Sequence, residues 1–229
     1  MTYRYWPLFD LRLTSPGLAL RPMTEADLAV LADLLPDDVE QDPAATVYDV
    51  GDARTSRGIV SHQSYWRAYG TWRPGAWRLN FVVRAAGEIV GVQELEGNDF
   101  LTLRTVDTSS FLVPAARGRG YGQQMRSAVL ALAFGPLQAQ AAITSAWHDN
   151  HASLGVSRAL GYRPNGESLD VRGDRADVMR HLRLPRADWL ASGRGHGVVI
   201  SGFDACRPLF GLPAGSEPSS SSPAAAPVI

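Results

Sequence analysis

The stretch Phe111-Leu112-Val113-Pro114-Ala115-Ala116-Arg117-Gly118-Arg119-Gly120-Tyr121-Gly122 decides how this chain is read. A β-rich run ends at Val113, a proline stops it, and an Arg/Gly turn leads into an amphipathic helix over 120–134. Glycines at 118, 120 and 122 leave backbone N–H groups uncovered. The first amides of a helix lack intrahelical partners and carry partial positive charge, so the turn suits a pyrophosphate. Arg117 and Arg119 stand where they can add charge-assisted contacts to the same anion. Two other phosphate loops fit poorly. A Walker A loop needs Gly-Lys-Ser/Thr, and the chain has no lysine. A dinucleotide fingerprint needs G-x-G-x-x-G, and the spacing here is G-x-G-x-G.

Working outward, residues 104–113 form the strand that feeds this turn. Before it lies a hairpin, 79–84 and 89–95, around Ala86-Gly87-Glu88. Residues 141–147 read as a strand, 150–160 as a helix stopped by Gly161, and 176–184 as a last strand. Towards the N-terminus, 8–13 and 18–21 read as short strands around Ser15-Pro16-Gly17. Thr24 opens a helix with Asp27 in the capping-box position, and Pro36 ends it. Residues 36–54, rich in Asp and Pro, read as loop, and 56–72 as a helix. Trp66, Trp72 and Trp77 cluster here, either as core aromatics or as the wall of a pocket. The class is α/β (α+β), with no internal repeat. Residues 1–185 form one domain. Residues 186–213 form an appendage on the core or at a subunit interface, with Trp189 packed inward and Val198-Val199-Ile200 as an added strand. Residues 214–229 are low-complexity and expected to be disordered.

Composition excludes several classes. With 229 residues, 45% hydrophobic content and a net charge of −1, the chain is an ordinary globular protein. It carries no basic excess for nucleic acid. No apolar run reaches the roughly 18–20 residues that span a bilayer. The single cysteine, Cys206, and the absence of an apolar signal core near the N-terminus point to the cytoplasm. All 22 basic residues are arginine.

A second motif follows the first: Asp149-Asn150-His151-Ala152-Ser153, continuing as an amphipathic helix to Gly161-Tyr162. Asn150 and Ser153, at i and i+3, share one face at the helix start. Asn150 also reads as an N-cap.

Together the two motifs resemble the GNAT superfamily of N-acetyltransferases. Its signature, R/Q-x-x-G-x-G/A, is met by Arg117 to Gly122, and its N-x-x-S/A by Asn150 to Ser153. The blocks at 6–12, 92–95, 125–134 and 202–211 are similar to a subgroup near the RimJ/RimL-type enzymes, some assigned acetyl-CoA and others succinyl-CoA. The resemblance spans 3–211. The subgroup tends to have Gly-Ser-Trp-Leu-Gly where this chain has Ser109 to Val113, Gln at Arg117, and Thr-Glu at Gln123-Gln124. Those departures leave the donor open.

The resemblance implies a mostly antiparallel sheet flanked by helices. It implies acetyl-CoA or succinyl-CoA as cosubstrate without a metal, and an amine acceptor (a protein N-terminus, a lysine or a small molecule). It also implies a homodimer or higher homo-oligomer. Donor contacts fall to Phe111, Leu112, Val113, Arg117, Gly118, Arg119, Gly120, Tyr121, Gly122, Asn150 and Ser153. Amides near Leu112 and Val113 are expected to polarise the thioester. Candidates for the general base are Glu94 and Asp107, with His148 and His151 also near. Ser153, or Tyr162 if it is not a core aromatic, would meet the departing sulfur. Arg84, Arg104 or Arg117 would receive a succinyl carboxylate. Transfer is direct, with Cys206 taking no part. The alternative is a non-catalytic acyl-CoA-binding module.

Overall fold

A computed structural model describes residues 3–36, 38–39, 48 and 51–213. The expected tail at 214–229 and most of the 36–54 loop lie outside the described residues. The strands are β1 (Arg12–Ser15), β2 (Leu18–Pro22), β3 (Trp77–Ala85), β4 (Glu88–Gly97), β5 (Thr105–Leu112), β6 (Ala141–Trp147), β7 (Arg163–Arg172), β8 (Arg175–Pro185) and β9 (Val199–Ser201). The helices are α1 (Glu25–Leu34), α2 (Ala53–Gly70), α3 (Phe100–Leu103), α4 (Tyr121–Phe134), α5 (His151–Ala159), α6 (Arg186–Ala191) and α7 (Phe203–Cys206). One sheet holds the strands in the order β7-β8-β6-β5-β4-β3-β2-β1-β9. Every neighbouring pair is antiparallel except β5 and β6.

Local chemistry accounts for most of these elements. Ala86 and Gly87 both have positive φ (49° and 87°), the requirement of a tight two-residue hairpin turn between β3 and β4. Thr24 caps α1 as expected: its amide donates to Asp27 Oδ2 at 2.9 Å. Burial alone would raise the Asp27 carboxyl, but the Arg21 fork at 2.6 Å and Thr24 outweigh it and hold it at about 2.

Two expectations change. The run 8–13 is not one strand: Pro7–Asp10 is a 3-10 turn and β1 begins at Arg12. Leu8 and Leu11, both fully buried, lie three residues apart, which is turn spacing rather than strand alternation. The segment 163–172, given no element from sequence, is strand β7. Nearly all of it is exposed, so no apolar alternation marks it. Its Pro164 and Asn165-Gly166 mimic a turn, and a bulge between Pro164 and Glu167 absorbs them on an edge strand.

The sheet has two faces. Helices α1 and α2 cover one, burying Leu28, Leu31 and Tyr65 against Val82 and Val92. Helix α4 fills the other with Met125, Val129, Leu132 and Phe134. The segment beyond 185 completes that second core: Trp189, Phe203, Cys206 and Phe210 are buried in it, and β9 pairs with β1. Gly202 starts α7 at φ +77°, where a Cβ would stand 2.4 Å from the Asp10 carbonyl oxygen. Gly202→Ala combines left-handed strain with a backbone clash. Its expected cost is about 2 kcal/mol or more, read as a lower urea midpoint.

Candidate active site

The parallel pairing of β5 with β6 is short. It runs Thr105↔Ala141, Val106↔Ala142, Asp107↔Ile143 and stops. Strand β5 stays paired with β4 as far as Gly91↔Leu112, and β6 with β8 as far as Trp147↔Met179. Beyond Asp107 the two strands therefore part, each following its outer neighbour. Side chains close the base of the fork: Thr144 Oγ1 donates to the Thr108 carbonyl at 2.8 Å, and Thr108 Oγ1 to the Ile143 carbonyl at 3.3 Å. At Gly91 a Cβ would lie 2.2 Å from the Phe111 oxygen, so only glycine lets β5 lie this close to β4.

The fork decides which amides are open. The Val113 amide donates to the Val90 carbonyl at 2.9 Å. By the two-residue alternation of an antiparallel pair, the amides of Ser110 and Leu112 point the other way, into the fork. Of the two amides expected at a thioester, Leu112 is free and Val113 is engaged, and Ser110 joins Leu112.

The glycine loop stands at the mouth of the fork. Gly118 (φ +74°) and Gly120 (φ +78°) are left-handed, and a Cβ at either would meet nothing within 4 Å. Their role is to shape the backbone rather than to relieve crowding. Gly120 precedes α4 with no side-chain cap, so the first α4 amides face outward. The Arg117 guanidinium lies on Asp38 (2.6 and 2.7 Å) and its Nε on the Leu112 carbonyl. That hydrogen-bonded pair lowers the Asp38 carboxyl and raises Arg117. Arg119 is exposed and has no side-chain partner among the described residues. Gly122 is tight against Val156, its Cβ position 3.2 Å from Cγ2, which brings α4 onto α5. Asn150 caps α5, its Oδ1 accepting from the Ser153 amide at 3.0 Å.

A family model described as Acetyltransferase (GNAT) domain matches residues 17–163. The chain belongs to the GNAT acetyltransferases. Solved structures agree in fold. A point mutant of the spermidine N-acetyltransferase SpeG from Vibrio cholerae is 14% identical, covering 78% of this chain and 99% of that one, with a TM-score of 0.60. Mycobacterium smegmatis RimJ in complex with CoA-disulfide is 19% identical, covering 82% and 97%, with a TM-score of 0.61.

In this GNAT domain the face under α1 and α2 carries the carboxylates. Glu94 lies opposite Ser109 and accepts its hydroxyl at 2.6 Å. Glu96 lies opposite Asp107 and is paired with Arg78 at 2.8 Å. Beside Glu96 a cavity of about 330 Å3 opens between α2 and the sheet, lined by Gln63, Ser64, Arg67, Trp77 and Arg78. The tryptophans divide: Trp72 and Trp77 stack in the core, and Trp66 is exposed.

Across the fork, on the same face, is a chain that the sequence did not reveal. Ser145 of β6 bonds His181 Nδ1 at 2.8 Å. His181 Nε2 bonds Ser168 at 2.8 Å, and Ser168 donates to Asp170 at 2.6 Å. The histidines singled out from sequence lie elsewhere: His148 rests on Asp177 at 3.1 Å, and His151 is exposed at the start of α5. Tyr162 is a core aromatic, 3.3 Å from Thr108 Oγ1, with its phenol pushed up to about 12 by burial. Burial likewise pushes the Cys206 thiol up to about 12, and it donates to the Pro7 and Gly202 carbonyls. It is a structural thiol.

Burial also raises the Asp107 carboxyl, to about 6, against the opposing hydrogen bond from the Thr108 amide and with Glu96 adding to the rise. The folded state therefore holds this proton more tightly than the unfolded chain. The group's contribution to stability falls as pH rises from about 4 to about 6. Asp107→Asn removes that loss. Its stability relative to the parent is expected to rise by on the order of 1–3 kcal/mol between about pH 4 and pH 8, measured by urea unfolding at both ends.

Proposed function

We propose that this GNAT domain is an acyl-CoA-dependent N-acyltransferase that passes the acyl group directly to a primary amine. The observation that carries the reading is the fork itself. Two free amides, Ser110 and Leu112, line a gap that opens towards the left-handed glycine loop and the uncapped start of α4. The chain's open positions fit a CoA ester: Gly118 and Gly120 have empty space before them, and Arg119 is free to meet a phosphate. The ester supplies an activated acyl carbon on a thiol leaving group.

The protein's part is then positional and electrostatic. The loop amides of 118–122, Arg119 and the first turn of α4 hold the pyrophosphate. Arg117, shared with Asp38, fixes the loop against β5. Phe111 and Leu112 form the wall beside the pantetheine arm, and Asn150 orders the start of α5 along its opposite side. The Leu112 and Ser110 amides, fixed in advance by β4, face the carbonyl oxygen and stabilise its developing charge. Ser109 and Glu94 form the proton path on the acceptor face. Glu94 takes the amine proton directly or through the Ser109 hydroxyl, and Asp107 adds negative potential beside it. The Ser153 hydroxyl, on the first turn of α5, hydrogen-bonds the departing sulfur.

Of the arginines considered for a succinyl carboxylate, Arg84 and Arg117 are paired with aspartates and Arg104 lies over the Phe100 ring. This supports acetyl-CoA as the donor.

The test is a thermal-shift panel with CoA, acetyl-CoA, succinyl-CoA, ATP and NAD, followed by thiol release with peptide, lysine and polyamine acceptors. A CoA ester raises Tm by mass action, and Gly120→Glu, which fills the space before the loop, abolishes the rise. Glu94→Gln keeps the shift but lowers kcat by roughly 10²-fold or more. Absence of a shift with every CoA species rejects the reading. A shift without turnover of any amine reassigns the domain to acyl-CoA binding alone.

A further inference from the structure

Among the described residues, Arg126 is a buried charged group on the α4 side of the fork whose chemistry the proposed function leaves unused. It projects from the second turn of α4 into the core and is 2% exposed. Nη1 donates to Ser157 Oγ of α5 at 2.8 Å and Nη2 to Ser110 Oγ of β5 at 3.1 Å. Its Nε is buried with no partner, and among the described residues no carboxylate forms an ion pair with it. Two neutral hydroxyls do not cancel a charge. Enclosing a guanidinium without a counter-ion is unfavourable, and an apolar side chain of similar volume is as stable there or more so. Packing therefore does not explain why an arginine stands here.

Its position indicates what the charge meets. Ser110, which takes Nη2–H, is exposed and lies on the stretch of β5 that has left β6. The guanidinium is thus one hydroxyl away from the fork. The charged and titratable groups that act on it are Asp107, whose side chain is on the opposite face of β5, and Tyr162 behind it. Neither offers an anion on the α4 side. The fork itself acquires one in the reaction. The amine nitrogen bonds to the acyl carbon, the amine proton goes to Glu94, and the C–S bond breaks with its electron pair on sulfur.

We infer that Arg126 is a positioning residue whose uncompensated charge favours the thiolate form of coenzyme A in the fork, so that sulfur leaves without first being protonated. This rests on the acyl-CoA reading above. The serines hold the guanidinium in place through both Nη atoms, so the field is fixed before substrate arrives.

The experiment is calorimetric titration of the protein with coenzyme A and with desulfo-CoA, which lacks the sulfur, between about pH 7 and pH 9.5. In this window Asp107, at about 6, is already ionised and Tyr162, at about 12, is not. The ratio of the two affinities is expected to grow in favour of coenzyme A by roughly tenfold or more as pH rises, because a thiolate-preferring site depresses the thiol pKa. Arg126→Lys keeps most of this pH dependence. Arg126→Gln and Arg126→Met, two variants so that misfolding of one leaves the other, flatten it while desulfo-CoA still binds. A pH-independent ratio in the parent protein overturns the inference, as does a ratio that still rises in either neutral variant. Failure of both ligands to bind the parent would instead overturn the acyl-CoA reading.

Discussion

Strand β5 cannot satisfy two neighbours beyond Asp107. It remains registered on β4, and from that point β6 belongs to β8. A sheet interior does not leave backbone groups unpaired without cause. Here Thr108 and Thr144 supply hydroxyls at the point of parting, and the next polar groups, the Ser110 and Leu112 amides, are left facing a gap. Everything proposed for the site follows from that divergence. It opens the wedge, aims the amides, and sets Ser109 and Ser145 on opposite banks of one face.

The two faces of the sheet divide the labour. On the α4 side the chain presents an uncapped helix start and a buried cation, groups suited to phosphate and to negative charge. On the α2 side it presents Glu94 and Asp107, groups suited to an amine, with Glu96 held by Arg78. The Arg126 guanidinium and the carboxylates of Glu94 and Asp107 thus lie on opposite faces of the sheet. On the function proposed, the fork is where an amine nitrogen and a thioester would meet without either group crossing a layer of protein.

The sequence carries much of this, for identifiable reasons. The glycine turn was legible because its glycines are demanded by backbone shape, at φ +74° and +78°. The α1 cap was legible because capping uses residue types at fixed spacing. Strand β7 was not, because neither face of it is buried and periodicity reports only burial. The Ser145–His181–Ser168–Asp170 chain was not legible either, since it joins three strands through pairings that only the fold sets. Arg126 was missed from sequence yet visible in principle: a charge at a core-facing helix position, one turn before Leu130. The engagement of Val113 with Val90 depends on which strand edge faces inward, and periodicity of residue types does not encode that.

The Cys206 thiol reaches back to the Pro7 carbonyl, and Trp72 donates its indole N–H to the carbonyl of Leu209. The first contact joins opposite ends of the described chain, and the second ties its C-terminal segment to Trp72, just past the end of α2. The α4 core is accordingly open along one flank until Phe210 has been added. Without residues 199–210 the β1 edge and the aromatic cluster of Trp6, Trp72 and Trp77 have no cover on that side. A chain folded only as far as residue 185 would expose an unpaired strand edge and an apolar flank, the two features that make partly folded states prone to associate.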